Sequence, residues 1–312
     1  MGINLRKAAI IGCGSVGASI AFRFLQQGLF SHLVLLDANR DKAEGEAMDL
    51  SDGMPYGAAM EIVAGDYGDL GDCALVVVTA GVNQQPGESR LELIGKNTAI
   101  LESILKKLTA TAFEGVLLVV SNPVDALTYA AWRLSGWPRE RVIGSGTVLD
   151  TGRFKQLLGE ELGVDSRNIH AFIMGEHGDS ELPVWSGASV SGLSLDDFCA
   201  LRGKRLEPEE RERLYREVQG SANEIIRRKG ATYYGIAMAV GRIAQCIVKD
   251  EHAVLPISAA LVGEYGLEGL ALSVPAIVGR NGLEKILEIP LEPAERRALL
   301  ASARQLREAM EK

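Results

Sequence analysis

His177 lies in the run Met174-Gly175-Glu176-His177-Gly178-Asp179-Ser180, flanked by glycines and acidic residues. It is one of four histidines, with His32, His170 and His252. An imidazole changes charge at a pH of about 6.5, which suits it to give and take protons near neutrality. Asp150 and Arg153 are three residues apart, a spacing that puts them on one face of a helix. A guanidinium grips a carboxylate through two parallel hydrogen bonds, a geometry that lysine lacks. Arg90 follows a stretch containing Pro86 and Gly87, between a strand-like and a helix-like run. Such a stretch can close as a lid, exclude water and bring a cation to a polarised oxygen.

Gly12-Cys13-Gly14-Ser15-Val16-Gly17 has the spacing G-x-G-x-x-G, after an apolar strand-like run and before a helix-like one. In that context the first glycine permits a tight turn. The second lets a pyrophosphate approach the backbone, and the third lets helix and strand pack closely. The helix N-terminus then offers free N–H groups and a positive dipole. Asp37 comes 20 residues after Gly17, at the end of the next strand-like run. A carboxylate there accepts from ribose hydroxyls and repels a 2′-phosphate, favouring NAD over NADP. Arg40 nearby argues the other way.

These side chains need a scaffold, and the pattern of the first half supplies one. Strand-like runs (Ala8–Ile11, Leu33–Leu36, Met60–Ala64, Ala74–Thr79, Val116–Ser121) alternate with helix-like ones (Val16–Gln27, Lys42–Leu50, Leu93–Leu108, Val124–Leu134). That alternation predicts an α/β fold, a Rossmann doubly wound parallel sheet covered on both faces. The second half predicts a mixed α/β substrate domain. Its helices span Asp150–Leu162, Pro208–Arg228 and Ile236–Val248, and its strands Asn168–Met174 and Val184–Val190. The division falls near Ile143–Gly146, giving residues 1–144 and 145–312.

The bulk numbers exclude several classes. A net charge of −8 lacks the basic excess that phosphate backbones require, so nucleic acid is not an expected partner. No apolar stretch is long enough to span a bilayer. Cys13, Cys73, Cys199 and Cys246 are too irregularly spaced for a zinc site or disulfide framework. They predict a reducing, cytoplasmic setting and no metal. The basic Arg6-Lys7 and the apolar run after it superficially resemble a signal peptide. The run passes straight into the glycine turn, so it reads as a strand.

The segment around His177 resembles the active-site segment of the lactate and malate dehydrogenase family. So do Ser121-Asn122-Pro123-Val124-Asp125, Leu149-Asp150-Thr151-Gly152-Arg153-Phe154 and Gly81-Val82-Asn83-Gln84-Gln85-Pro86-Gly87-Glu88-Ser89-Arg90. The matches run in family order over nearly the whole chain. The resemblance implies reversible hydride transfer between NADH and a 2-keto acid. His177 would be the proton donor, oriented by Asp150. Arg153 would hold the substrate carboxylate, Arg90 would polarise the carbonyl, and Asn122 would bond the reacting oxygen beside a cis bond to Pro123. Thr232 would line the pocket wall, and Ile236 would press on the nicotinamide. The resemblance extends the cofactor set from Gly12, Gly14, Gly17 and Asp37 to Val16, Lys42, Tyr67, Gly81, Val82, Asn122, Ser145 and Ile236.

Gln84 bears on the substrate. Malate-specific members carry arginine at the equivalent lid position, to pair the second carboxylate of oxaloacetate. A neutral amide there leaves that carboxylate without a counter-ion, at a cost of several kcal/mol, and favours pyruvate and L-lactate. A malate dehydrogenase and a dehydrogenase for bulkier 2-hydroxy acids are the neighbouring readings. A non-catalytic NAD-binding redox sensor is the reading from another class. It would need Gly12, Gly14, Gly17 and Asp37, but not His177, Asp150, Arg153 and Arg90 together. The resemblance also implies a homotetramer. Lys155 and His170 occupy the places where some bacterial relatives bind fructose 1,6-bisphosphate as activator, though arginine is usual at the first. An ordinary strand histidine is the equal alternative for His170.

Overall fold

The computed structural model describes residues 2–82 and 90–311, without the side chains of Arg90, Leu91 and Glu311. The first half consists of β1 (Asn4–Ile11), α1 (Ser15–Gln27), β2 (His32–Leu36), α2 (Arg40–Asp52), β3 (Glu61–Ala64), β4 (Cys73–Val78), α3 (Arg90–Leu108), β5 (Val116–Val119), α4 (Val124–Ser135) and β6 (Val142–Gly144). These six strands are parallel, in the order β3-β2-β1-β4-β5-β6. Buried on both faces, they read as continuous apolar runs, and Cys73–Val78 is buried at every position. Alternate residues serve opposite cores. Ala8, Ile10, Leu33 and Leu35 pack with α1, while Ala9, Ile11, Val34 and Leu36 pack on the side of α3 and α4.

The second half contains α5 (Val148–Leu162), β7 (Ile169–His170), β8 (Ile173–Met174), β9 (Leu182–Pro183), β10 (Ser189–Val190) and β11 (Leu193–Ser194). After these come α6 (Leu195–Leu201), α7 (Pro208–Lys229), α8 (Tyr234–Lys249), β12 (Ala253–Val262), β13 (Glu268–Gly279), β14 (Gly282–Ile286) and α9 (Pro293–Glu311). β12, β13 and β14 are antiparallel and extend the sheet beyond β6, to nine strands among the described residues. The α/β expectation therefore holds, with an antiparallel extension that the alternation of strand-like and helix-like runs does not announce. A separate core of Phe154, Leu158, Ile173, Leu195 and Val218 binds α5, α6 and α7 together.

Two expected strands are corrected. Asn168–Met174 is not one strand: β7 pairs with β10, the chain breaks at Ala171-Phe172, and β8 pairs with β9. Val184–Val190 is strand only at its end. Ala188 N–H bonds back to the Trp185 carbonyl, and Ser186 turns out to meet the Glu295 carboxylate, so residues 185–188 form a turn.

Candidate active site

The glycine turn is built by close approach. Gly12 has φ +106°, and a Cβ there would lie 2.5 Å from Ala80 N. A Cβ on Gly17 would lie 1.9 Å from the Gly12 carbonyl oxygen. Gly14 differs: a Cβ would meet no protein atom within 4 Å. The turn therefore needs Gly12 and Gly17 for its own packing and leaves open space above Gly14. Gly14 caps α1 without a side-chain bond, so the first N–H groups of the helix face that space unpartnered by a cap.

An open cavity of about 870 Å³ runs from this turn along the ends of the parallel strands, where this topology changes direction. Gly12, Gly14, Asp37, Lys42, Tyr67 and Gly81 line it. Asp37 sits at the end of β2. Its Oδ2 accepts from Cys13 N at 2.7 Å, and its Oδ1 from Asn39 N at 2.9 Å. Arg40 is engaged elsewhere, with Glu44 at 2.9 Å and Asp66 at 3.5 Å. Those ion pairs weaken its claim as a 2′-phosphate ligand. The open cradle, the free helix N-terminus and the ribose-side carboxylate all fit NAD.

The other residues expected to bind the cofactor lie outside the lining of this cavity. Val16 is half-buried on α1, and Ile236 is half-buried on α8 against the core. Val82 donates its N–H to Asn97 Oδ1 at 2.8 Å, and Asn97 Nδ2 donates to the Asn122 carbonyl at 2.7 Å. Buried Asn97 thus ties the strand end after β4 to the one after β5. Ser145 is 3% exposed, with its N–H on Val119 O. Thr79 and Lys107 also line the cavity, and sequence reasoning passed over both, as it did Asn97.

The residues expected to transfer the proton and hold the substrate stand on α5 and after β8. Thr147, just before α5, donates its hydroxyl to the Ile173 carbonyl at 2.6 Å, and Thr151 accepts from Ile173 N at 2.9 Å. These bonds fix α5 against β8. Gly175 then exchanges two backbone bonds with Ser273 of β13, and Glu176 N–H donates to Ser302 of α9 at 2.8 Å. The segment leading to His177 is therefore held from both sides.

His177 Nδ1 lies 2.6 Å from Asp150 Oδ2, and Arg153 Nη1 lies 2.8 Å from Asp150 Oδ1. The structure brings these three residues together. Burial disfavours the charged imidazole, but the nearby carboxylates of Asp150, Glu181 and Asp125 outweigh it and raise its pKa to about 9. Burial also works against ionised Asp150, and its contacts with His177 and Arg153 outweigh that, holding its pKa below the usual range.

Asn122 is exposed at the end of β5, and its bond to Pro123 is cis. Thr232 is half-buried in the turn between α7 and α8. A Cβ on Gly235, in the first turn of α8, would touch Leu149, so the start of α8 packs at the start of α5, next to Asp150. Arg90 begins α3, but its side chain lies outside what is described, and Gln84 lies outside the described residues altogether. Lys155 is half-buried on α5, and His170 is exposed on β7.

Asp125 and Glu181 went unassigned in the sequence reading. Asp125, 1% exposed, accepts from His177 N at 2.7 Å, Ser258 Oγ at 2.6 Å and Ser273 Oγ at 3.0 Å. Asp125 lies inside a segment that resembles the family and Glu181 one residue beyond another, but only the folded chain brings them to the imidazole.

Two family models cover the chain. One, described as lactate/malate dehydrogenase, NAD binding domain, matches residues 6–144. The other, described as lactate/malate dehydrogenase, alpha/beta C-terminal domain, matches residues 147–312. The L-lactate dehydrogenase of Priestia megaterium is 48% identical over 307 residues, 98% of this chain and 96% of that one. L-lactate dehydrogenase 1 of Lactobacillus acidophilus is 47% identical over 98% of this chain and 94% of its own. The crystal structure of minor L-lactate dehydrogenase from Enterococcus mundtii, in its ligands-bound form, superposes with a TM-score of 0.95. It is 45% identical, covering 98% of each chain.

Proposed function

The chain belongs to the lactate/malate dehydrogenase family, and from that premise we propose that it is an NAD-dependent L-lactate dehydrogenase, reducing pyruvate reversibly. The observation that carries the reading is the double use of Asp150, one oxygen on His177 and the other on Arg153. A proton donor and a carboxylate anchor are thereby set at a fixed separation.

Bound at the glycine turn, NADH supplies the hydride. Arg153 grips the pyruvate carboxylate with the guanidinium N–H groups that Asp150 does not use. His177, with Nδ1 turned to Asp150, presents Nε2 to the keto oxygen and donates its proton as the ketone becomes an alcohol. In lactate oxidation the same nitrogen takes the proton back. Asp150 fixes the ring orientation and stabilises imidazolium, the orienting logic of a catalytic triad. Arg90 polarises the carbonyl from the lid, Asn122 bonds the same oxygen, and Thr232 and Ile236 bound the pocket. Gln84, neutral, faces the substrate methyl group.

Further readings go with this one. The chain divides at 144/145 into cofactor and substrate domains. It assembles as a homotetramer, which is supported by Phe22, Met48 and Met238 standing half or more exposed on α1, α2 and α8. Four free, buried cysteines support a cytoplasmic setting. Lys155 and His170, on elements that pack together, support a fructose 1,6-bisphosphate site. NADH absorbance followed with pyruvate and with oxaloacetate, each with and without the bisphosphate, tests the substrate and the activator site. Fast oxidation with pyruvate and little with oxaloacetate is expected. Preference for oxaloacetate overturns the substrate, and a flat response to the bisphosphate removes the activator site.

A further inference from the structure

We propose that Glu181 is a second acid partner of His177, a positioning residue whose charge holds the donated proton on the imidazole and sets how far into the alkaline range pyruvate is reduced. The inference rests on the lactate dehydrogenase reading and deepens it. Glu181 is 3% exposed, and one carboxylate oxygen, an Asp150 oxygen and a His177 ring nitrogen all lie within 4.8 Å of one another. Its Oε1 is buried without a hydrogen-bond partner among the described residues. An acid kept in so unfavourable a place is not there for packing alone.

Its backbone is anchored at both ends. Glu181 N–H donates to the Gly178 carbonyl at 3.3 Å, and the Tyr215 hydroxyl donates to the Glu181 carbonyl. The charged and titratable groups around it are Asp150 and Arg153 on α5, and Glu176, His177 and Asp179 on its own segment. Tyr215 and Glu212 come from α7, and Glu295 from α9. Arg153 keeps its proton at every pH, which leaves His177 as the cation whose proton Glu181 can hold. On its other side Glu181 lines an open cavity of about 410 Å³ between α7 and α9.

Burial and the Asp150 charge raise Glu181 to about 8. Below that pH it is neutral and His177 relies on Asp150, with Asp125 of α4 beneath its backbone N–H. Above it Glu181 is anionic, and its attraction adds to that of Asp150 just where the imidazolium would otherwise lose its proton.

The test is the pH profile of kcat/KM for pyruvate, from about pH 5.5 to about pH 10, in wild type and Glu181→Gln. The alkaline limb of the variant is expected to fall about one pH unit earlier. Its deficit should grow from less than about threefold at low pH to about tenfold at high pH, with NADH affinity retained. Glu181→Asp, keeping the charge on a shorter side chain, should restore part of the limb. A superimposable profile, or a deficit constant across pH as packing damage would give, overturns the inference. Should Glu181→Gln not fold, Glu181→Ser is read by the same criterion. Wild type inactive with pyruvate at every pH would bring down the substrate reading and this inference with it. Active wild type with an unmoved limb brings down the inference alone.

Discussion

Asp125 accepts the backbone N–H of His177 at 2.7 Å across 52 residues of sequence, through a carboxylate that is 1% exposed. Its other oxygen accepts the hydroxyls of Ser258 and Ser273, on the two longest strands of the antiparallel extension. One acid at the start of α4 thus joins the cofactor half to the His177 segment and to β12 and β13.

Three donors converge on the two Asp125 oxygens, and an amide offers only one oxygen to accept them. In Asp125→Asn the Nδ2 group must face either the His177 N–H, which can only donate, or the two serine hydroxyls, which must then turn their hydrogens towards buried surroundings. A buried donor left so placed costs about 1–3 kcal/mol. Thermal unfolding should show a clear loss, and kcat should fall more than NADH affinity because the His177 segment is displaced.

The glycines of the turn should separate packing from binding. Gly17→Ala forces a methyl onto the Gly12 carbonyl and should cost about 1–3 kcal/mol of stability together with NADH affinity. Gly14→Ala meets nothing in the protein. It should melt like wild type and still bind NADH more weakly, because its methyl occupies the cradle. Melting curves and NADH fluorescence titrations distinguish the two.

Stability should fall with alkaline pH in a way that Glu181 and His177 explain. The unfolded chain loses the Glu181 proton near its ordinary value of 4.5, whereas the native protein keeps it to about 8. The native state therefore binds more protons between those values, and stability declines as pH rises through them. His177, raised from 6.5 to about 9, contributes stability that is complete below 6.5 and lost through about 9. The Tm of Glu181→Gln relative to wild type should accordingly rise from about pH 5 to about pH 8.5. A difference independent of pH would contradict the assignment of the buried proton.

Gln84→Arg should transfer preference from pyruvate towards oxaloacetate, since the new cation pairs the second carboxylate. Relative kcat/KM for the two acids measures it, and an unchanged ratio would mean that Gln84 does not face the substrate.

Much of this was legible in the chain because the signals are local. Continuous apolar runs such as Cys73–Val78 announce buried parallel strands. The spacing of Gly12, Gly14 and Gly17, and that of Asp150 and Arg153, survives without any knowledge of long-range contacts. What was not legible depends on distance. Ser258, Ser273 and Ser302 are single hydroxyls in apolar surroundings, and their partners lie 133, 148 and 126 residues away. The β12–β13 hairpin was signalled only by Gly263 and Gly266 between two apolar runs. The break at Ala171-Phe172 arises because β7 and β8 pair with different strands, which composition does not reveal.

That His177 donates the proton is tested most directly by His177→Asn. NADH affinity by fluorescence and pyruvate turnover by absorbance should be measured on the same preparation. NADH binding within about twofold of wild type, with turnover reduced about a thousandfold or more, is the predicted result. Near-normal turnover would contradict it and move the proton donor elsewhere.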